Sequence, residues 1–308
     1  MRCFLGIDTS NYTTSTAAYI YEENRMISKR KLIPVKPGEL GARQSDAVFH
    51  HVKQLPELVD SLFGSEPLEV EGIGVSTRPR PIDGSYMPCF EVGVTIASAL
   101  SSALNVPLYR YSHQEGHIAA ALYSSNTYDL LGERFYAFHV SGGTTEAVLV
   151  TKKKNGFSAE RICGSLDLKA GQVIDRTAKM LELPFPGGPM LEKLALECDE
   201  KIKCRPTMKG LDCCLSGVEN RCKKLFDDGK EKSVIARTCI EYVRVSLAAM
   251  ADGLLEKEKL PLLFAGGVMS NSIIRRSFEE RYGAHFAAPE YSSDNACGIA
   301  LLASKAGE

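Results

Sequence analysis

Apolar positions repeat with two different periods along this chain, and the switches between them mark out its elements. Phe4-Leu-Gly-Ile-Asp8 predicts a short strand, Thr9-Ser10-Asn11-Tyr12-Thr13-Thr14 a polar turn, and Ala17-Ala-Tyr-Ile20 a returning strand. The same plan recurs at Phe135-Tyr-Ala-Phe-His139-Val140, Ser141-Gly-Gly-Thr-Thr145 and Ala147-Val-Leu-Val150. Aligned without gaps, Phe4, Ser10, Thr13 and Thr14 fall on Phe135, Ser141, Thr144 and Thr145. Two such hairpins, each opening about half of the chain, point to a duplicated α/β unit. Residues 44–62 carry Val48, Val52, Leu55, Leu58, Val59 and Leu62 at helical spacing. Further helices are expected at 92–104, 112–122, 173–181, 234–256, 271–280 and 295–303, and buried strands at 70–75 and 262–265. Strands alternating with helices give an α/β class. The expected division is an N-terminal domain at 1–125 and a C-terminal domain at 126–308, with the closing helix packing back on the first.

Charge narrows the function classes. The 37 basic and 38 acidic residues leave a net charge of −1, so no global basic field holds nucleic acid. Contact with RNA must then be local or delivered by a partner. At 44% hydrophobic residues the 308-residue chain can bury a sizeable core. The uncharged run 92–109 contains Thr95, Ser98, Ser101, Ser102, Asn105 and Pro107 and reads as a packed helix, not a membrane span. The apolar stretch at the N-terminus is too short for a signal peptide, and ten cysteines without a Cys-x-x-Cys pair read as reduced thiols. The expectation is a cytoplasmic protein.

Candidate chemistry lies in a few places. Ser141-Gly142-Gly143, Gly187-Gly188 and Gly266-Gly267 are glycine turns through which backbone N–H groups can approach a phosphate. None is a Walker or Rossmann pattern, and together they suggest a split nucleotide site. Asp175 either accepts bonds from ribose or substrate hydroxyls or caps its own helix. His113-Gln-Glu-Gly-His117 places two imidazoles at i and i+4 on one helical face, where they can grip one metal ion. Asp294 is either the third ligand or an N-cap for the closing helix. Two histidines and a carboxylate suit iron, zinc or manganese with positions open to substrate oxygens. Arg78, Arg80, Arg275 and Arg276 form either an RNA or phosphate patch or ordinary surface charge. His50-His51 reads as a helix surface. Gly-x-Ser-x-Gly is absent, so a hydrolase triad has no support.

The ordered set Gly6-Ile-Asp-Thr-Ser10, His51-Val-Lys-Gln-Leu-Pro56, His113-x-Glu-Gly-His117, Val140-Ser-Gly-Gly143, Gly171-x-x-x-Asp175-x-x-Ala-Lys-x-Leu181, Pro186-Gly-Gly-Pro189, Ser216-Gly217, Gly266-Gly-Val-x-x-Asn271 and Asp294-Asn295 resembles one family. It is the tRNA threonylcarbamoyladenosine synthase family (TsaD, formerly labelled glycoprotease or O-sialoglycoprotein endopeptidase). The resemblance implies the duplicated actin/sugar-kinase/Hsp70 fold. It also implies transfer of a threonylcarbamoyl group from threonylcarbamoyl-adenylate to N6 of the adenosine beside the anticodon in ANN-decoding tRNAs. It makes His113, His117 and Asp294 the ligands of one divalent metal, iron or zinc. It makes His139, Val140, Ser141, Gly142, Gly143, Asp175, Gly188 and Asn271 the adenine-nucleotide positions. No catalytic residue is assigned beyond the metal site. Implied partners are tRNA, an inactive paralogue, a small P-loop ATPase and the adenylate-forming enzyme, with no membrane.

Some positions depart from the family's pattern. Asn11-Tyr12-Thr13-Thr14-Ser15 stands where Cys-Asp-Glu-Thr-Ser is usual, Thr144 replaces a histidine, and Arg78-Pro-Arg-Pro81 replaces a Gly-Pro-Gly loop. These are the departures expected of a divergent paralogue, with the substrate-facing positions changed at Tyr12, Thr13 and Thr144. The alternative function is therefore a nucleotide- and metal-binding partner or regulatory protein without transferase activity.

Overall fold

The computed structural model describes residues 1–10, 12–34, 43–82, 84–153, 156–292 and 296–307. In chain order the elements are β1 (Arg2–Ser10), β2 (Thr13–Ile20), β3 (Arg25–Leu32), α1 (Gln44–Phe63), β4 (Glu69–Arg78), α2 (Phe90–Leu104), β5 (Leu108–Ser112) and α3 (His113–Ser124). They continue with β6 (Phe135–Val140), β7 (Thr145–Lys152), β8 (Phe157–Gly164), α4 (Ala170–Met180), α5 (Gly188–Leu196), β9 (Thr207–Lys209) and β10 (Asp212–Cys214). The last are α6 (Ser216–Asp227), α7 (Lys232–Lys257), β11 (Leu262–Ala265), α8 (Ser272–Tyr282), β12 (His285–Phe286) and α9 (Cys297–Gly307). Two compact units result, one of Met1–Gly132, Thr151–Ala159 and Glu290–Glu308, the other of Glu133–Val150 and Glu160–Pro289.

Each unit is built on one five-stranded sheet. The first runs β3-β2-β1-β4-β5, and the second, read in the matching direction, β8-β7-β6-β11-β12. In both, an antiparallel hairpin (β1 with β2, β6 with β7) is extended on its other side by a parallel strand (β4, β11). The repeated hairpins of the sequence therefore occupy equivalent places in two sheets of one topology. This is the duplicated actin/sugar-kinase/Hsp70-like architecture.

Alternation along β1 decides what covers the first sheet. Cys3, Leu5 and Ile7 share a core with Leu55 and Leu62 of α1 and with Val92 and Ala97 of α2. On the opposite face a Cβ at Gly6 would lie 2.4 Å from the Ala296 carbonyl, and one at Gly74 would lie 2.6 Å from that of Ile299. Paired glycines thus let α9 lie directly on the strands. In the second unit, Phe138 and Phe264 of adjacent strands stack 4.6 Å apart beneath α4, α7 and α8. Gly266 follows β11 at φ +102°, and a Cβ there would lie 2.3 Å from the Val140 carbonyl. Gly266→Ala should cost about 3 kcal/mol, combining a left-handed strain with a backbone clash. A urea midpoint unchanged in that variant would refute the close approach.

His51, read from sequence as surface, is instead fully buried on α1. Thr14 donates its hydroxyl to Gln54 Oε1 at 2.7 Å and stands 2.7 Å from His51 Nδ1. With its proton committed, Thr14 can only accept from His51, so Nδ1 carries the hydrogen and Nε2 is a buried lone pair with no partner among the described residues. Burial pushes this imidazole down from 6.5 to about 4. The unfolded chain then takes up a proton that the folded one refuses. Stability should fall as pH drops from about 6.5 towards 4, by up to roughly 3 kcal/mol. Urea unfolding at stepped pH checks this, and His51→Asn should flatten that part of the profile.

All ten cysteines are free thiols. No helix among the described residues is long and apolar enough to cross a membrane.

Candidate functional site

The histidine pair is placed by a capping box. Ser112 ends β5, and its hydroxyl accepts from the Glu115 N–H at 3.2 Å while Glu115 Oε2 accepts from the Ser112 N–H at 2.7 Å. This starts α3 at His113 and puts His117 one turn further on the same face. Asp8, fully buried on β1, accepts from the Ser10 N–H through Oδ1 and lies 2.8 Å from His113 Nδ1 through Oδ2. A carboxylate there selects the tautomer of His113 that presents Nε2 as a lone pair. That Nε2 faces the Nε2 of His117 at 2.9 Å. Two nitrogens each about 2.1 Å from one ion at a right angle would stand about 3 Å apart, so the pair fits a shared cation. The arrangement is the carboxylate–histidine support usual behind metal ligands. Asp294, the third predicted ligand, lies outside the described residues. Among the described residues no group of three His, Cys, Asp or Glu side chains forms a metal cluster.

The second unit holds a cavity of about 450 Å³. The turn Ser141-Gly142 lines it, together with Gly171 and Asp175 of α4, Gly188, Pro189 and Glu192 of α5, and Asn271 at the cap of α8. Three helix N-termini therefore border one space and turn the positive ends of their dipoles towards it, although Asn271 and Glu192 take up the first N–H groups of α8, and Thr145 and Ser141 those of Ala170 and Gly171. No lysine or arginine is among the described lining residues. An anionic group in such a cavity would be met by helix dipoles and not by side-chain cations, with the carboxylates of Asp175 and Glu192 also on its wall.

Glycines set its shape. A Cβ on Gly171 would lie 2.6 Å from Gly142 N, so only glycine lets the turn rest on the first turn of α4. A Cβ on Gly142 would meet nothing within 4 Å, which leaves room for a ligand there. Asp175 Oδ1 accepts from the Gly187 N–H at 2.9 Å and holds the Pro-Gly-Gly-Pro turn against α4. Asn271 Oδ1 accepts from Ile273 N and Ile274 N, both at 3.1 Å, so its carbonyl caps α8 and its amide nitrogen is the end available to a ligand.

Of the eight nucleotide positions taken from the resemblance, Ser141, Gly142, Asp175, Gly188 and Asn271 come together on this cavity. His139 lies on β6 between Glu146 and Ala265 in register, the Val140 side chain is buried in the core, and Gly143 sits in the turn without lining the cavity. Tyr12, expected to face the transferred group, packs against a buried cluster of Ile33, Ala47, Cys89 and Phe90. Thr13 is buried at the start of β2. Thr144 closes the β6–β7 turn, its N–H on Ser141 Oγ at 3.1 Å. The hydroxyl of Ser216 donates to Asp167 at 2.6 Å. Sequence reasoning missed Asp8, although an acid ending an apolar strand is itself a signal, since burial demands a partner. It also missed Glu192, which accepts from the Ser272 N–H at 2.8 Å.

A family model described as tRNA N6-adenosine threonylcarbamoyltransferase matches residues 36–301. A protein of that description from Thermus thermophilus is 30% identical over 312 residues, covering 97% of this chain and 91% of the relative. A probable bifunctional tRNA threonylcarbamoyladenosine biosynthesis protein of Methanocaldococcus jannaschii is 28% identical over 279 residues. That match covers 88% of this chain, which spans about half (50%) of the relative's length. Among solved structures, full-length HypF in its phosphate- and nucleotide-bound form matches with a TM-score of 0.59 at 14% identity, over 99% of this chain and 55% of HypF. This last likeness is one of fold.

Proposed function

The chain belongs to the tRNA N6-adenosine threonylcarbamoyltransferase family, and from that premise we propose that it transfers the threonylcarbamoyl group of threonylcarbamoyl-adenylate to N6 of the adenosine beside the anticodon in ANN-decoding tRNAs. The observation that carries the reading is the cavity bordered by three helix N-termini, which suits the phosphate of an adenylate. Ser141 and Gly142 supply the turn over the phosphate. Asp175 offers its remaining carboxylate oxygen to ribose hydroxyls, and the Asn271 amide donates to the sugar or base.

In the transfer the adenosine amine nitrogen forms a bond to the carbamoyl carbon, the bond from that carbon to the phosphate oxygen breaks, and AMP leaves. The amine loses one proton to solvent. Negative charge develops on the departing phosphate, where helix dipoles and backbone N–H groups stabilise it more than they do the bound anhydride. No protein nucleophile is needed. His113 and His117 would hold a divalent metal, with Asp294 as the third ligand by resemblance and Asp8 orienting His113. When bound, such an ion supplies Lewis-acid polarisation of a carbonyl oxygen. Iron or zinc suits the donor set. The partners proposed are those of the resemblance: an inactive paralogue, a small P-loop ATPase and the adenylate-forming enzyme.

The direct test supplies synthetic threonylcarbamoyl-adenylate and an unmodified ANN-decoding transcript, with and without the partners. Threonylcarbamoyladenosine in the digested RNA supports the reading. Nucleotide binding without product in either arm favours the regulatory alternative.

A further inference from the structure

A second cavity, of about 410 Å³, shares a wall with the first. Ile240 and Asn271 face the nucleotide cavity, while the next residues along the chain, Glu241 and Ser272, line the second. The bond from the Ser272 N–H to Glu192 closes the partition. The two cavities differ in chemistry. Arg237, Arg244 and Arg276 line the second, against the carboxylates of Glu241 and Glu280.

Glu241 is only 7% exposed and is consumed by its neighbours: Arg237 Nη2 stands 2.9 Å from one oxygen and Arg244 Nε 2.7 Å from the other. Arg244 Nη1 also donates to Ser277 Oγ at 3.1 Å. Two guanidinium planes are thus held in place with N–H groups to spare. Arg275 is engaged by Glu279 at 2.7 Å, but Arg276 is exposed and makes no hydrogen bond or ion pair with the described residues. Clamped guanidinium groups beside an uncommitted one suit the fork geometry of a phosphate oxyanion.

We propose that this cavity seats a backbone phosphate of the RNA substrate, beside the nucleotide cavity; the RNA's identity rests on the transfer reading above. Phosphate contacts of this kind position a nucleic acid without reading its sequence. A local site also meets the requirement set by a net charge of −1.

The test measures binding of an ANN-decoding tRNA transcript to the full chain by fluorescence anisotropy across a salt series. Arg276→Ala should weaken binding about 3- to 10-fold, Arg276→Glu more, and Arg276→Lys least. The salt slope should fall by about 0.7–0.9 in the alanine variant, the value for one lost phosphate contact. Calorimetry should find adenine-nucleotide affinity unchanged. Equal affinity and slope in wild type and Arg276→Glu would overturn the proposal. So would Arg276-dependent binding of inorganic phosphate with RNA binding unaffected, which would assign the cavity to a free anion. Arg276-dependent RNA binding without any modification would leave this site standing and count against the transfer reading.

Discussion

Gly142→Val should abolish adenine-nucleotide binding while leaving the fold intact. A side chain at residue 142 meets no protein atom within 4 Å of its Cβ, so the empty protein has no steric reason to unfold. The space it fills lines the cavity bordered by the starts of α4, α5 and α8. A branched side chain there takes the volume of the phosphate and keeps it from the helix starts that border the cavity. Loss of at least about 100-fold in affinity is expected, equivalent to roughly 2.7 kcal/mol. Calorimetry with AMP, beside a thermal melt of each protein, checks both halves. An affinity within about 2-fold of wild type would mean that the phosphate lies elsewhere.

His117→Ala should lower the transfer rate by about 10²- to 10³-fold, the usual cost of losing electrostatic stabilisation at a reacting centre. The side chain is half-buried and packs edge-on against His113 at 4.3 Å between ring centroids, so truncation opens little of the core. Elemental analysis should find the metal lost with it. Asp8→Asn offers a graded comparison, because it keeps both imidazoles and removes only the carboxylate at 2.8 Å from His113 Nδ1. Supports of that kind are worth about 10- to 100-fold in metal affinity. Full metal content in folded His117→Ala would remove the histidine pair from the mechanism.

These residues show how far the sequence could be read. The spacing of His113 and His117 is visible because helix geometry alone puts i and i+4 on one face. Asp8 cannot be joined to the pair by pattern, since it lies 105 residues from His113 and only the packing of α3 near the end of β1 brings them together. Asn271 was legible as a polar residue after a glycine turn, but its role as the cap of α8 depends on where that helix begins. The strongly periodic elements β1, β2, α1, β6 and β7 were readable from pattern. The edge strand β3, Arg25-Met-Ile-Ser-Lys-Arg-Lys-Leu32, was not, because strong charge on an exposed strand resembles a loop. The polar helix α6 escaped for a similar reason: only Val218 and Cys222 are buried along it. Tyr12, matched to an acidic position of the family, packs half-buried against an apolar cluster whose members lie 21 to 78 residues further along the chain, a contact that pattern alone does not show.

The most direct measurement is the mass of the nucleoside at the position beside the anticodon. The full chain, expressed in cells that lack their own threonylcarbamoyl transferase, should restore threonylcarbamoyladenosine to ANN-decoding tRNA, as read by nucleoside mass spectrometry. Gly142→Val and His117→Ala, expressed to the same level, should not restore it. Unmodified adenosine in cells containing folded, nucleotide-binding wild-type protein and its partners would contradict the assignment.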